Sequence, residues 1–214
     1  MERGLANYLH FGDLPEGLSF SGSIAVDTET TGLHPSRDRL CVVQLSAGDG
    51  DAHLVQFPPP EAGKFPDYSA PRLRSLLANP SIEKIFHFGR FDLSVLMRDL
   101  TVDASPVFCT KIASKLVRTY TDRHGLRDLC SELLGVSISK EQQSSDWGRA
   151  VLTEAQIGYA ASDVLHLHAL RDKLAKMLER EGRLELATAC FAYLPIRAKL
   201  DLSGWDGVDI FAHS

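Results

Sequence analysis

Apolar and polar positions divide the chain into a strand-rich first half and a helix-rich second half. Ile24–Glu29 is an apolar run that ends in carboxylates, and Leu40–Ala47 is denser still in apolar and β-branched residues; both predict buried strands. Gly48-Asp49-Gly50-Asp51 is a turn signal, so Ala52–Phe57 is predicted to return as the third strand of an antiparallel meander. Pro58-Pro59-Pro60 through Ser69 predicts a loop, and Pro71–Ala78 a helix with proline in its first turn. Glu83–Phe88 predicts a fourth strand, and Phe91–Leu100 a helix with Leu93, Leu96 and Met97 on one face. Pro106–Cys109 predicts a short fifth strand, with Thr110 as cap for Lys111–Arg118. From Leu126 onward the pattern is almost wholly helical. Its clearest piece runs from Thr153 as N-cap to about Glu179, and a last helix follows Gly182 to about Leu200. Strands first and helices later, with βα units between, predict a mixed α/β domain.

Composition narrows this picture. A chain of 214 residues, 44% hydrophobic and 24% charged, fits a single globular domain with a substantial core. No apolar run approaches the roughly 20 residues of a membrane span. Met1–His10 lacks the basic-then-apolar pattern of a secretory signal, so a cytoplasmic location is expected. Cys41, Cys109, Cys130 and Cys190 are far apart and form no CxxC pair, which argues against a zinc or redox motif and for free thiols. With 23 Lys and Arg against 28 Asp and Glu, the net charge of −5 argues against a broad basic footprint for long nucleic acid. Any nucleic-acid substrate should therefore be short, with its contacts concentrated in one place.

The chemistry lies in carboxylates set on apolar segments, where they are costly unless paired or bound to a cation. Asp27 and Glu29 are two apart on a strand and share a face, with Val26 and Thr28 on the other. Such neighbours repel, which raises a pKa or recruits a cation, although an Asp-x-Glu on a surface strand is common. Tyr159 and Asp163 are four apart on a helix and share a face, with the small Ala160, Ala161 and Ser162 between. Asp92 follows the apolar run Ile85–Phe88; by itself it also reads as an ordinary first-turn carboxylate. Arg118, Arg123, His124 and Arg127 form a local basic cluster, a pattern more often a solvated face than a site. His166 and His168 read as ordinary helix positions, and the tail Trp205–Phe211 carries apolar side chains that either pack back on the chain or dock on a neighbour.

In order and spacing, Val26-Asp27-Thr28-Glu29-Thr30-Thr31-Gly32-Leu33, Phe86-His87-Phe88-Gly89-Arg90-Phe91-Asp92 and Tyr159-Ala160-Ala161-Ser162-Asp163 resemble the three motifs of DEDDy-type 3′–5′ exonucleases of the ribonuclease D-like family. Gln143-Ser144-Ser145-Asp146-Trp147-Gly148-Arg149 is similar to that family's Ser-Asp-Trp segment, and the match spans about Ile24 to Leu170. His87 stands where proofreading exonucleases usually carry Asn, which sides with the ribonuclease D branch. The chain is too short for added HRDC-type helical domains, and its compact form most resembles short nanoRNase C-type enzymes, which cleave dinucleotides and very short RNA as ring-shaped homo-octamers.

The resemblance implies a ribonuclease H-like fold: a mixed five-stranded sheet flanked by helices, with a helical C-terminal part. It implies one exonuclease domain over residues 1–214, with a motif core of about 22–180 and a C-terminal helix and tail at 181–214. It implies two divalent cations, Mg²⁺ or Mn²⁺, about 4 Å apart. Asp27 would bridge both, Glu29 and Asp163 would complete the first, and Asp92 would hold the second directly or through water. Tyr159 would orient the attacking water, and Leu33, Thr30 and His87 would contact substrate, although Leu33 also reads as a core leucine and His87 as filling the strand end. The implied reaction is release of nucleoside 5′-monophosphates from short single-stranded RNA, down to dinucleotides, by a homo-oligomer. The alternatives are single-stranded DNA or tRNA 3′ ends as substrate, or a catalytically silent nucleic-acid-binding protein.

Overall fold

The computed structural model describes residues 6–139 and 141–213. Met1–Leu5, part of the segment read for a secretory signal, lie outside the described residues. In chain order the strands and helices are β1 (Asn7–Phe11), β2 (Ser23–Thr30), β3 (Leu40–Ser46), β4 (Ala52–Gln56), α1 (Pro71–Ala78), β5 (Glu83–Phe86), α2 (Arg90–Asp99), β6 (Val107–Cys109), α3 (Thr110–Val117), α4 (Leu126–Leu129), α5 (Glu154–Leu165), α6 (Leu167–Arg180) and α7 (Leu184–Leu200). A π-helical turn, Asp201–Trp205, ends α7.

The sheet is mixed, in the order β1-β4-β3-β2-β5-β6. The predicted meander is present: β2, β3 and β4 pair antiparallel, Asp27 opposite Gln44 and Val43 opposite Val55. β5 and β6 extend the other side of β2 in parallel. The carboxyl ends of β2, β5 and β6 therefore share one edge, the edge at which parallel strands of open sheets present ligand sites. β2 is central, and Ile24, Ala25 and Val26 are fully buried, as expected for a strand covered on both faces.

Several expectations are corrected. The sheet has six strands rather than five, because Asn7–Phe11 pairs in parallel with β4. That edge strand is half exposed and alternates poorly, so its sequence carries little strand signal. β5 stops at Phe86 rather than Phe88, since Phe88 turns into the left-handed region at φ 67. Thr110 is the first residue of α3, not its cap; its hydroxyl donates instead to the Phe86 carbonyl. The stretch after Leu134 is irregular up to Leu152 among the described residues, rather than helical. Hydrogen bonds from Gln56 and Gln156 side chains to the carbonyls of Arg149, Ala150 and Asp146 hold it, and no local periodicity reports such partners. Thr153 does cap α5, in a reciprocal capping box with Gln156. The helix then breaks at His166 instead of running on to Glu179. The break lets α5 cross β2, β3 and β4 while α6 turns to α3 and β5.

Candidate active site

β2 carries Asp27 and Glu29 toward α5, which brings Asp163 from its last turn. One oxygen from each of these three carboxylates lies within 4.8 Å of the others. Thr28, one residue out of phase, points the other way, and its hydroxyl donates to Asp92 Oδ1 at 2.7 Å. The central strand thus meets a carboxylate-bearing helix on each face, α5 on one side and α2 on the other. A register shift between Glu29 and Thr30 marks a bulge directly after the last of these carboxylates, a place where bulges commonly redirect a chain at a site.

The environments of the four acids differ. Asp92, 3% exposed, sits in the first turn of α2, where the helix dipole favours negative charge. Burial nonetheless pushes it up to about 7, against the opposing pull of the Thr28 hydroxyl. Asp163 lies in the last turn of α5, where the dipole is unfavourable to a carboxylate, and burial raises it to about 7. Burial and then repulsion from Asp92, Asp163 and Glu29 hold Asp27 well above the usual carboxylate range. Glu29 is raised in the same way, by burial first and then by Asp163 and Asp92. Among the described residues, no Lys, Arg or His forms an ion pair with any of the four. An all-oxygen set of buried, mutually repelling carboxylates without a cationic partner fits a hard divalent cation.

Tyr159 faces Asp163 from one turn earlier on α5, and burial together with the carboxylates raises its phenol above the ordinary range, so it stays protonated. The Trp147 ring lies 6.1 Å from the Tyr159 ring and, itself buried, walls the site beside it.

All five of these residues line one cleft of about 790 Å³, and so do Leu33, Thr30 and His87. Leu33 is 85% exposed, which removes the core-leucine reading and leaves it as a projecting apolar rim. Its loop is tied down from beneath: a Cβ on Gly32 would stand 2.3 Å from Asp38 Oδ2, and Asp38 accepts from the His34 amide at 2.9 Å. The Thr30 hydroxyl is occupied by the Gly32 carbonyl. His87 Nδ1 lies 2.9 Å from the Thr110 hydroxyl, and burial lowers its pKa to about 3, so the ring is neutral. The Thr110 hydroxyl, which also reaches the Phe86 carbonyl, ties the neutral ring to the start of α3.

Of the predicted basic cluster, Arg127 alone lines the cleft. Arg118 is fully buried and paired with Glu132, Arg123 pairs with Asp128, and His124 Nδ1 meets Ser114 Oγ at 2.8 Å. Sequence reasoning missed Phe88 and Lys111, which also line the cleft, with Lys111 Nζ 4.3 Å from the centre of the Phe88 ring. An apolar residue directly after a strand, followed by Gly89, was the available signal for Phe88; nothing local distinguishes Lys111.

A family of 3′–5′ exonucleases matches residues 11–179. Ribonuclease D of Granulibacter bethesdensis is 36% identical over 161 residues, covering 75% of this chain and 39% of the relative. The chain thus spans about two fifths of the length of the curated ribonuclease D relatives it matches. Brucella melitensis NrnC bound to pGG superimposes with a TM-score of 0.92 at 56% identity, covering 99% of this chain and 100% of that one. The same protein with bound Mg²⁺ gives a TM-score of 0.89 at 57% identity, covering 97% and 98%.

Proposed function

The chain belongs to the ribonuclease D-like 3′–5′ exonuclease family, and from that premise we propose that it hydrolyses short single-stranded RNA, down to dinucleotides, to nucleoside 5′-monophosphates. The observation that carries the reading is the meeting of Asp27, Glu29 and Asp163 within 4.8 Å, in one cleft with Asp92 and Tyr159.

Two divalent cations, Mg²⁺ or Mn²⁺, are the cofactors in this reading. Asp27, Glu29 and Asp163 would hold one, and Asp27 with Asp92 the other. Bound divalent cations supply charge stabilisation at the phosphate and acidify the attacking water. The residues of the chain do the rest. Tyr159, held neutral, orients the attacking water as a hydrogen-bonding group and is too weak an acid to serve unaided as base. Leu33 offers an apolar face to a terminal base, and such stacking is tolerant of sequence. His87 offers an uncharged hydrogen-bonding ring within the cleft.

Two features favour a short substrate. The cleft is of small-ligand size, and among the described residues the Lys and Arg side chains lining it are those of Lys111 and Arg127, few beside the many phosphate contacts on which long nucleic acid depends. The relative bound to pGG supports the same size class. Among the described residues no helix is long and apolar enough to cross a membrane. A cytoplasmic location accords with the four free cysteines, and the exposed Val208, Ile210 and Phe211 support a homo-oligomer, an octamer by the resemblance.

The test is a length series of 5′-labelled RNA and DNA oligomers with Mg²⁺. The expected result is fastest turnover of diribonucleotides, with turnover abolished by Asp27→Asn. Preference for long DNA, or full activity in Asp27→Asn, contradicts the proposal.

A further inference from the structure

Asp92 is held from the inside by Thr28; the same helical turn is also held from the outside. Arg90 opens α2 two residues before Asp92, so the two side chains leave the helix on nearly opposite faces. The Arg90 guanidinium forks onto Asp201, Nε to Oδ2 at 2.5 Å and a terminal nitrogen to Oδ1 at 2.7 Å. It donates again to the Asp206 carbonyl at 2.6 Å. The Asp201 side chain is 5% exposed and is also paired with Arg197 at 2.7 Å. Ser94 Oγ, one turn along α2, donates to the Arg90 carbonyl at 2.9 Å and lies 3.5 Å from the Ala198 carbonyl.

Among the described residues, no side-chain cap fixes this end of α2. The residue before it, Gly89, makes no side-chain cap, and Phe88 ahead of that has the left-handed φ of 67. A helix start that follows a strained, uncapped turn has freedom to shift unless something grips it. The fork is the planar, bidentate geometry that Arg and carboxylate form best, and it leaves little angular freedom. Asp201 lies beyond residues 11–179, the part matched by the exonuclease family.

We propose that Asp201, acting through Arg90, is a positioning residue: the end of α7 clamps the first turn of α2 and so sets where Asp92 stands in the metal site. The proposal rests on the metal-site reading given above. Calorimetric titration of the full chain with Mn²⁺ alone, without substrate, reads the clamp directly. Kinetics on a diribonucleotide with Mg²⁺ complement it.

Asp201→Asn is expected to weaken Mn²⁺ binding about tenfold, the lower end of what outer-shell changes cost a metal site, and to lower kcat while leaving KM within about twofold. Arg90→Gln should do the same, and the double variant should lose less than the sum of the two, since both remove the same fork. Arg197→Gln loosens the tail but leaves the Arg90–Asp201 fork in place, and it should keep wild-type Mn²⁺ affinity. If Asp201→Asn does not fold, Arg90→Lys, which keeps the charge and loses the fork, is read in the same way. Unchanged Mn²⁺ affinity in the fork variants overturns the proposal, and so does an equal loss in Arg197→Gln, which would assign the effect to tail packing in general. A wild-type chain that binds no Mn²⁺ would instead sink the metal-site reading itself.

Discussion

The Thr28 hydroxyl donates to Asp92 Oδ1 at 2.7 Å across the interface between β2 and α2, and both residues are buried. A residue that faces away from Asp27 and Glu29 on the same strand therefore supports the carboxylate arriving from the opposite helix. The bond favours the charged form of Asp92, the form that can take a cation.

Thr28→Val keeps the shape of the side chain and removes this donor. A hydrogen bond to a charged group contributes roughly 1.5–3 kcal/mol. The expected outcome is about a tenfold or greater rise in the Mg²⁺ concentration giving half-maximal activity at neutral pH. Thr28→Ser should restore the wild-type requirement. An unchanged requirement in the valine variant would show that Asp92 holds its charge without help.

Proton and cation compete for the same oxygens. With Asp92 and Asp163 raised to about 7, the metal-free site is partly protonated at neutral pH. The Mg²⁺ concentration for half-maximal activity should therefore fall as pH rises from about 6 to 8. Stability without metal runs the other way. The folded-state values lie above the unfolded ones, so the native chain binds more protons over this range and loses stability as pH rises from about 4 through 7. Thermal unfolding in chelator at pH 5.5 and pH 8 checks the sign, and saturating Mg²⁺ should shrink the difference.

Tyr159→Phe removes the phenol and keeps the ring packed near Trp147. A group that positions the reacting water is expected to affect kcat by about a hundredfold. Mn²⁺ affinity should stay within about twofold, because Tyr159 is not one of the gathered carboxylates. Equal losses in kcat and in metal affinity would mean that the tyrosine acts by holding Asp163.

Leu33→Ala trims a side chain that is 85% exposed, so the unfolding temperature should not move. If the leucine stacks on a base, KM for a diribonucleotide should rise about tenfold, the scale of one base-stacking contact. A loss of stability in place of a KM effect would contradict that role.

The parts of this structure legible from sequence are those whose partners are near in the chain. The β2–β4 meander follows from apolar strands and a Gly-Asp turn, and the start of α5 from its capping box. β1 was not legible, because a half-exposed edge strand pairing in parallel has its partner far downstream. The irregular run before Thr153 depends on Gln56 and Gln156, which reach it from a strand and a helix. The candidate site shows the same divide. Asp27, Glu29, Asp92, Tyr159 and Asp163 stand in recognisable motifs, and the fold brings them to one cleft. Thr28 as support for Asp92, Phe88 at a positive φ and the Arg90–Asp201 fork depend on tertiary placement, and spacing alone does not reveal them.

The most direct test of the metal site is anomalous diffraction from crystals of this chain soaked in Mn²⁺. Two peaks are predicted, one among Asp27, Glu29 and Asp163 and one between Asp27 and Asp92, with the first lost in Asp163→Ala. Crystals that show no anomalous density beside Asp27 at saturating Mn²⁺ would contradict the account.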